Sequence, residues 1–295
     1  MKPAPASAPN PPEVHCLHDA DSGTCSYVVA DAQAGVALIV DPVLDFDASA
    51  GRTGTQSAQR LLDLVGASNY RVEWILETHA HADHLSAAPW LKAQLGARTG
   101  IGVGIVEVQK VFKDVFNLEP CFATDGSQFD HLFADGESFS LGSIACEVIA
   151  TPGHTSDSVT YRVGDALFVG DSLFLPDGGT ARCDFPGGDA ATLFASIQKL
   201  YCLPDATRVF VCHDYRPGGR ESRCESTIGA QKSDNIHVRA GVPEAEFITL
   251  RRARDATLSM PRLIIPAVQV NIRAGELPPA EANGVRYLKL PLNRL

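Results

Sequence analysis

The sequence has no long run of apolar residues. None of its stretches approaches the roughly 18 consecutive apolar positions that a membrane-spanning helix requires, so no membrane partner is expected. With 45% hydrophobic and 20% charged residues in 295 positions, the composition is that of a globular protein. A chain of this length can bury a sizeable core as one large domain or two small ones.

Positive charge is also scarce. Lys and Arg total 25 against 35 Asp and Glu, which gives a net charge of −10. A general affinity for nucleic acid or anionic membranes is therefore not expected, and an anionic substrate would require a local basic patch. The densest basic stretch, "LRRAR" (250–254), is interpreted as the solvated face of a helix.

The eight cysteines never form a C-x-x-C pair, and a secretory signal is missing. The opening "MKPAPASAPNPPEV" places prolines where a signal peptide would need an apolar helical run, so residues 1–12 are predicted to be a disordered arm. Cysteines without a secretory signal are predicted to be reduced thiols, which favours a cytoplasmic location.

Strand-like and helix-like segments alternate in two successive sets. This alternation predicts an α/β fold with helices layered outside packed sheets. Strands are predicted within 25–43 (two), 71–77, 143–174 (three), 208–215 and 285–290, and helices at 57–68, 85–96, 189–203 and 243–258.

The stretch "THAHADH" (78–84) places four ligand-type side chains in six positions directly after a predicted strand. His79 and His81 are two apart, so on extended chain they point to the same side, unlike the i, i+4 pair of a helical H-E-x-x-H site. Asp83 and His84 follow at once. This density predicts a metal site, with a hydrogen-bonded loop in which Asp83 caps the next helix as the alternative.

Three more ligand-type residues stand at the ends of predicted strands. They are His154 in "TPGHT", Asp171 in "VGDSLF" and His213 in "VFVCHDY". Taken singly, each is more often a structural histidine or a turn residue. In layered α/β proteins, however, sites gather where loops leave one edge of the sheets, so we expect these residues to join the cluster at 79–84.

These four segments resemble the metallo-β-lactamase superfamily, with its H-x-H-x-D-H signature, in both content and order. The resemblance covers about residues 13–240 and implies a four-layer αβ/βα sandwich with the metal at one edge of the two sheets. Residues 241–295 are then predicted to be a C-terminal extension packed on the same domain.

Two branches of the superfamily imply different chemistry. Glyoxalase II-like relatives hold two zinc ions, whose hydroxide hydrolyses glutathione thioesters. In that branch His79, His81 and His154 would hold one metal, Asp83, His84 and His213 the other, and Asp171 would lie between them. A non-catalytic protein that binds a sulfur metabolite is a third possibility, but such proteins commonly lose ligands that this chain keeps.

The persulfide dioxygenases resemble this chain more closely. The shared segments are "THAHADHLSAA", "ARCDF" and the closing "VQVNIRAGELPPAEANGVRYLKLPLN" (268–293), which is similar to the bacterial glutathione-dependent type. That resemblance implies one Fe(II) per chain, held by His79, His154 and Asp171, and a reaction of glutathione persulfide with O₂. His81, Asp83, His84 and His213 would then orient the ligands and waters by hydrogen bonding.

The same resemblance suggests substrate contacts and a homodimer. Arg182 and Tyr215 fall where glutathione-handling relatives place a basic residue and a tyrosine, and Arg216 could add a second clamp on a carboxylate. Arg182 could equally brace its own loop, with Asp184 as a partner. Cys183, beside Arg182, is predicted to be an ordinary small residue, although a neighbouring cation could lower the pKa of its thiol.

Overall fold

The structure, a computed structural model, describes residues 11–294 and contains two six-stranded sheets and one small three-stranded sheet. The strands are β1 (Glu13–His18), β2 (Cys25–Asp31), β3 (Val36–Val40), β4 (Val43–Asp47), β5 (Arg52–Gly54), β6 (Arg71–Leu76), β7 (Leu85–Ser86), β8 (Arg98–Gly102), β9 (His131–Phe133), β10 (Ser138–Leu141), β11 (Ile144–Ala150), β12 (Val159–Val163), β13 (Ala166–Phe168), β14 (Arg208–Phe210) and β15 (Glu225–Thr227). The helices are α1 (Gln56–Ser68), α2 (Ala88–Leu95), α3 (Ile105–Val115), α4 (Ala190–Tyr201), α5 (Ile228–Asp234), α6 (Glu244–Asp255) and α7 (Ile264–Asn271).

The two large sheets pack face to face. The first has the order β1-β2-β3-β6-β8-β9 and the second β10-β11-β12-β13-β14-β15. Between them lies an apolar core drawn from both sheets, including Val29, Trp74, Val148 and Phe168. The Tyr27 hydroxyl crosses this core to donate a hydrogen bond to a backbone carbonyl beyond β14. The fully buried strands β2 and β3 are accordingly near-continuous apolar runs.

Helices cover both outer faces. Leu61 of α1 and Leu91 of α2 pack on the outer side of the first sheet, against residues such as Ile39. Leu193 of α4 and Phe247 of α6 pack on the outer side of the second sheet. The layers are therefore helix, sheet, sheet and helix, which confirms the predicted αβ/βα sandwich.

Several predicted boundaries were wrong. The helix predicted at 85–96 begins only at Ala88, because Leu85 and Ser86 pair with β4 instead. The strand predicted at 285–290 does not form; this tail makes a single bridge, between Ala280 and Arg286, and is mostly exposed. The predicted disordered arm, 1–12, lies outside the described residues except for its last two positions.

Other elements were not anticipated. They include the edge strand β1, the small sheet β5-β4-β7, and the helices α3 and α7. Helix α7 is largely buried and packs on β7, the short strand that directly follows the histidine motif. Within residues 11–294, no helix combines the length and apolar character needed to cross a bilayer.

Asn271, the last residue of α7, ties the C-terminal segment to the histidine motif. Its buried amide donates hydrogen bonds to the backbone oxygens of His81 and His84, each at 2.8 Å. Its side-chain oxygen accepts from the backbone nitrogen of Ser86, also at 2.8 Å. One side chain therefore satisfies three buried backbone groups of the loop.

We predict that Asn271→Ala lowers the free energy of unfolding by about 2–4 kcal/mol, because it leaves those three buried backbone groups without a partner. Urea unfolding measures the change. Asn283→Ala, which removes an exposed amide bonded to the Tyr287 hydroxyl, is the control and should cost no more than about 0.5 kcal/mol. Equal stability of the two variants would contradict this role for Asn271.

Candidate metal centre

The ligand-type residues meet at one edge of the two sheets. The loop after β6 carries the histidine motif, the loop after β11 carries His154, and a single 3-10 turn after β13, Gly170–Ser172, carries Asp171. His213 follows β14, which runs parallel to β13. Because these strands end at the same edge, side chains far apart in sequence come together there, as predicted.

Three histidines of this cluster, His79, His81 and His154, are buried, and each is oriented by a hydrogen bond through one ring nitrogen. His79 Nδ1 lies 3.0 Å from the Thr78 hydroxyl, and His154 Nδ1 lies 2.7 Å from the backbone oxygen of Arg182. His81 Nε2 lies 2.9 Å from an oxygen of Asp41. Such bonds select the ring orientation and leave the other nitrogen available to a metal.

Several inward-facing atoms have no partner within the described chain. They are His79 Nε2, His81 Nδ1, His84 Nε2, both ring nitrogens of His213 and one carboxylate oxygen of Asp171. Buried polar atoms are normally hydrogen-bonded, so a cluster of orphaned nitrogens and a carboxylate oxygen fits a cation bound among them.

The ligand atoms fall into overlapping groups of three. One atom each from His79, His154 and Asp171 lie within 4.8 Å of one another, and the same holds for His81, Asp83 and His84. Asp171 also belongs to a group with His213 and Cys212. Imidazole nitrogens with carboxylate oxygens suit iron or zinc. The cluster is therefore a metal-binding site built from His and Asp.

Comparison with known proteins assigns the family. A model of the metallo-beta-lactamase superfamily matches residues 19–213, the region that contains every residue of this cluster. The chain belongs to the metallo-β-lactamase superfamily. The predicted superfamily is thus confirmed, and the histidine motif, His154, Asp171 and His213 all lie within the matched region.

Relatives in the superfamily carry more than one kind of name. The chain is 53% identical over 284 residues to a beta-lactamase hydrolase-like protein of Xylella fastidiosa, covering 96% of this chain but 65% of that longer protein. It is 48% identical to glyoxylase B2 of Dictyostelium discoideum, over 97% of this chain and 99% of that protein.

Persulfide dioxygenases are also among the relatives, at lower identity. The mitochondrial persulfide dioxygenase ETHE1 of Homo sapiens is 28% identical over 86% of this chain and 85% of its own. The crystal structure of ETHE1 from Myxococcus xanthus superposes with a TM-score of 0.71 and 30% identity, covering 90% of this chain and all of that one.

Asp41 is a functional residue that the sequence analysis missed. It stands at a strand end with a positive φ of 50° and accepts hydrogen bonds from the backbone nitrogen and hydroxyl of Thr78, at 2.7 and 2.9 Å, as well as from His81. Burial raises the pKa of Asp41, but the charge and hydrogen bonds of His81 and Thr78 outweigh it and hold that pKa below its usual value. Its place at a strand end, in "IVDPV", was the available signal.

A cavity of about 450 Å³ opens onto the cluster. Asp83, His154 and Asp171 line its floor, and the apolar walls include Phe174 and Phe185. The segment after α6, up to Leu263, contributes another wall. A cavity of this size suits a small-molecule substrate whose reacting group reaches the metal.

The three predicted substrate contacts differ in their placement. Tyr215 lines the cavity, is 62% exposed and stacks parallel to His213 with ring centroids 5.5 Å apart. Arg182 also lines it, but its three guanidinium nitrogens bond to Asp184 and to the backbone oxygen of Ser259, so it braces the loop. Arg216 is exposed and is not among the lining residues, so its predicted contact gains no support.

Cys183 is buried, and burial raises the pKa of its thiol to about 12, which agrees with the predicted ordinary small residue and not with an activated thiol. One smaller interpretation changes. The stretch "LRRAR" is not simply a solvated face, because Arg251 is buried and pairs with Asp255 at 2.7 Å.

His237, to which the sequence analysis assigned nothing, supports the cavity wall. Its Nδ1 accepts a hydrogen bond from the backbone nitrogen of Thr180 at 3.0 Å. Gly179, with φ of +82°, lies so close that an added Cβ would be 2.1 Å from the same nitrogen. Burial, with a smaller contribution from Arg251, lowers the pKa of His237 from 6.5 to about 4. The ring therefore stays neutral and acts as an acceptor.

We predict that His237 makes the fold sensitive to acid. The unfolded chain takes up this proton near pH 6.5 and the folded chain only near pH 4, so stability falls as the pH drops through this window. His237→Gln, which keeps an acceptor, should abolish a loss on the order of 2–3 kcal/mol. The measurement is urea unfolding from pH 7 to pH 4.

His18→Gln serves as the control, because His18 is only partly buried and forms no ion pair within residues 11–294. It should retain the acid-dependent loss of the wild type. If the wild type and His237→Gln lose the same free energy of unfolding between pH 7 and pH 4, protonation of His237 does not cause the acid sensitivity.

Proposed function

We propose that this chain is a glutathione persulfide dioxygenase. It would oxidise the terminal sulfur of the persulfide with O₂ and water, forming sulfite and releasing glutathione. One Fe(II) per chain would be held by His79, His154 and Asp171. The predicted cytoplasmic location and homodimer remain predictions alongside this proposal.

The observation that carries the proposal is the group of two histidines and one carboxylate, His79, His154 and Asp171, of which His154 and Asp171 line the cavity. Its ligand atoms lie within 4.8 Å of one another, and both rings are fixed by hydrogen bonds on their outer nitrogens. Such a set is typical of non-haem iron oxygenases. When bound there, Fe(II) supplies open positions for O₂ and a sulfur ligand and an electron-transfer capacity that zinc lacks.

The chain's own residues would position the reactants. Phe174 and Phe185 would place apolar surface beside the persulfide chain and so limit the water around it. Asp83 Oδ2 lies 3.4 Å from His213 Nε2. Asp83 also lines the cavity, where its carboxylate can accept a hydrogen bond from the reacting water. His154 and Asp171, with Nε2 and Oδ2 only 3.6 Å apart, face the cavity directly.

The comparisons support this proposal through ETHE1. The solved ETHE1 structure is similar over its whole length, and the human relative is named a persulfide dioxygenase. The shared arrangement extends beyond the metal motif, since the alignments cover 86–90% of this chain.

A di-zinc hydrolase of glutathione thioesters, of the glyoxalase II type, is the second candidate. The group His81, Asp83 and His84 favours it, because the imidazole rings of His81 and His84 each have a buried nitrogen without a hydrogen-bond partner. The names of the relatives at 53% and 48% identity, a hydrolase-like protein and a glyoxylase, also support it.

We predict that His79→Ala abolishes iron binding and O₂ uptake together. Removing one of three ligands from a mononuclear site leaves too few donors to retain the metal. Metal content by mass spectrometry and O₂ consumption with glutathione persulfide are measured on the same protein. Retained uptake would eliminate His79 as a ligand.

His84→Ala separates the two candidates. With a mononuclear site the variant should keep about one iron per chain, and its activity should fall about 10- to 100-fold through loss of an orienting contact. With a dinuclear site it should lose about half of its zinc and its thioesterase activity. A half-loss of metal on His84→Ala would therefore contradict the dioxygenase proposal.

A further inference from the structure

The mouth of the metal cavity is positively charged although the chain as a whole carries −10. Four arginines line the cavity: Arg182, Arg251, Arg254 and Arg262. The acidic residues in the lining are Asp83 and Asp171 at the metal cluster and the exposed Asp21 at the rim. Two of the three acidic lining residues therefore belong to the metal cluster, and none of the arginines does.

Two of these arginines already have partners. Arg182 donates to both carboxylate oxygens of Asp184, at 2.6 and 2.7 Å. Arg251 is buried and donates to Asp255 and to the backbone oxygen of Thr180, each at 2.9 Å. Their guanidinium groups are committed to holding the wall together.

The other two are not committed. Arg254 and Arg262 are exposed, and neither forms an ion pair or a side-chain hydrogen bond within residues 11–294. A guanidinium presents several N–H donors in a geometry that suits a carboxylate. Each of the two arginines can therefore bind an anionic group of a bound molecule without breaking an existing contact.

Both stand on anchored backbone. Arg254 precedes Asp255, whose carboxylate is held by Arg251 and also accepts from the backbone nitrogen of Cys183. Arg262 precedes Leu263, which is buried in a cluster with Leu85 and Ala267. The guanidinium groups are therefore free to bind, while the backbone that carries them is held in place, as in a preorganised binding site.

We infer that Arg254 and Arg262 bind the carboxylates of the thiol carrier and thereby orient its sulfur toward the metal. The inference rests on the proposed function only in that the substrate is carried by glutathione, which both candidate reactions share. The two arginines attract carboxylates at positions that do not belong to the metal cluster. A dicarboxylate thiol held by both would keep its sulfur free to reach the metal.

Calorimetry of the metal-loaded protein with glutathione tests the inference. Arg254→Ala and Arg262→Ala should each weaken binding roughly tenfold, the loss of one charge-assisted contact at an exposed site. Arg252→Ala is the matched control. Arg252 is exposed on α6, the helix that carries Arg254, but it does not line the cavity, so the dissociation constant for glutathione should change less than about twofold.

A modified probe assigns the contacts. Glutathione monoethyl ester lacks the glycine carboxylate, so it should bind the wild type roughly tenfold more weakly than glutathione does. Its binding should also become insensitive to one of the two substitutions, the one that removes the partner of the missing carboxylate. If both substitutions weaken binding of the ester as much as they weaken binding of glutathione, direct pairing of an arginine with the glycine carboxylate is contradicted.

O₂ uptake on the same samples separates the two claims. If both variants bind glutathione as the wild type does while persulfide-dependent uptake persists, the inference is wrong and the dioxygenase stands. If the variants lose binding as expected but no sample takes up O₂, the inference stands and the dioxygenase is wrong.

Discussion

The buried nitrogens of the histidine cluster impose the constraint on which the site depends. Imidazole nitrogens and a carboxylate oxygen without partners are costly in a dry interior, and several of them face one point at the sheet edge. A bound cation satisfies them together, and the rings are fixed for it by hydrogen bonds with the Thr78 hydroxyl, the Asp41 carboxylate and the backbone oxygen of Arg182. Metal binding and folding of these loops are therefore coupled.

The surrounding fold holds that arrangement from two sides. Asp41, on the first sheet, fixes His81 and Thr78 from behind the motif. Asn271, near the end of the chain, fixes the backbone of the same loop from the other side. The stretch just before α7, from Leu258 to Leu263, lines the cavity, so this wall of the cavity is continuous in sequence with the helix that holds the histidine loop.

Sequence reasoning reached the metal site because its signals are local. The H-x-H-x-D-H spacing and the strand-end positions of His154, Asp171 and His213 can be read without a structure, as can the alternation that predicts the layers. Contacts across long separations could not be read: His84 and Asn271 are 187 positions apart, and no periodicity marks the pair. The strand predicted at 285–290 failed because a β pattern forms a strand only where another strand pairs with it.

The reaction that we propose for this superfamily member transfers O₂ to sulfur rather than water to a thioester. The most direct test is O₂ consumption by anaerobically prepared, iron-loaded protein given glutathione persulfide, with sulfite and metal content determined on the same sample. We expect O₂ uptake, sulfite formation and about one iron per chain. No uptake, with about two zinc ions per chain and hydrolysis of S-lactoylglutathione, would contradict it.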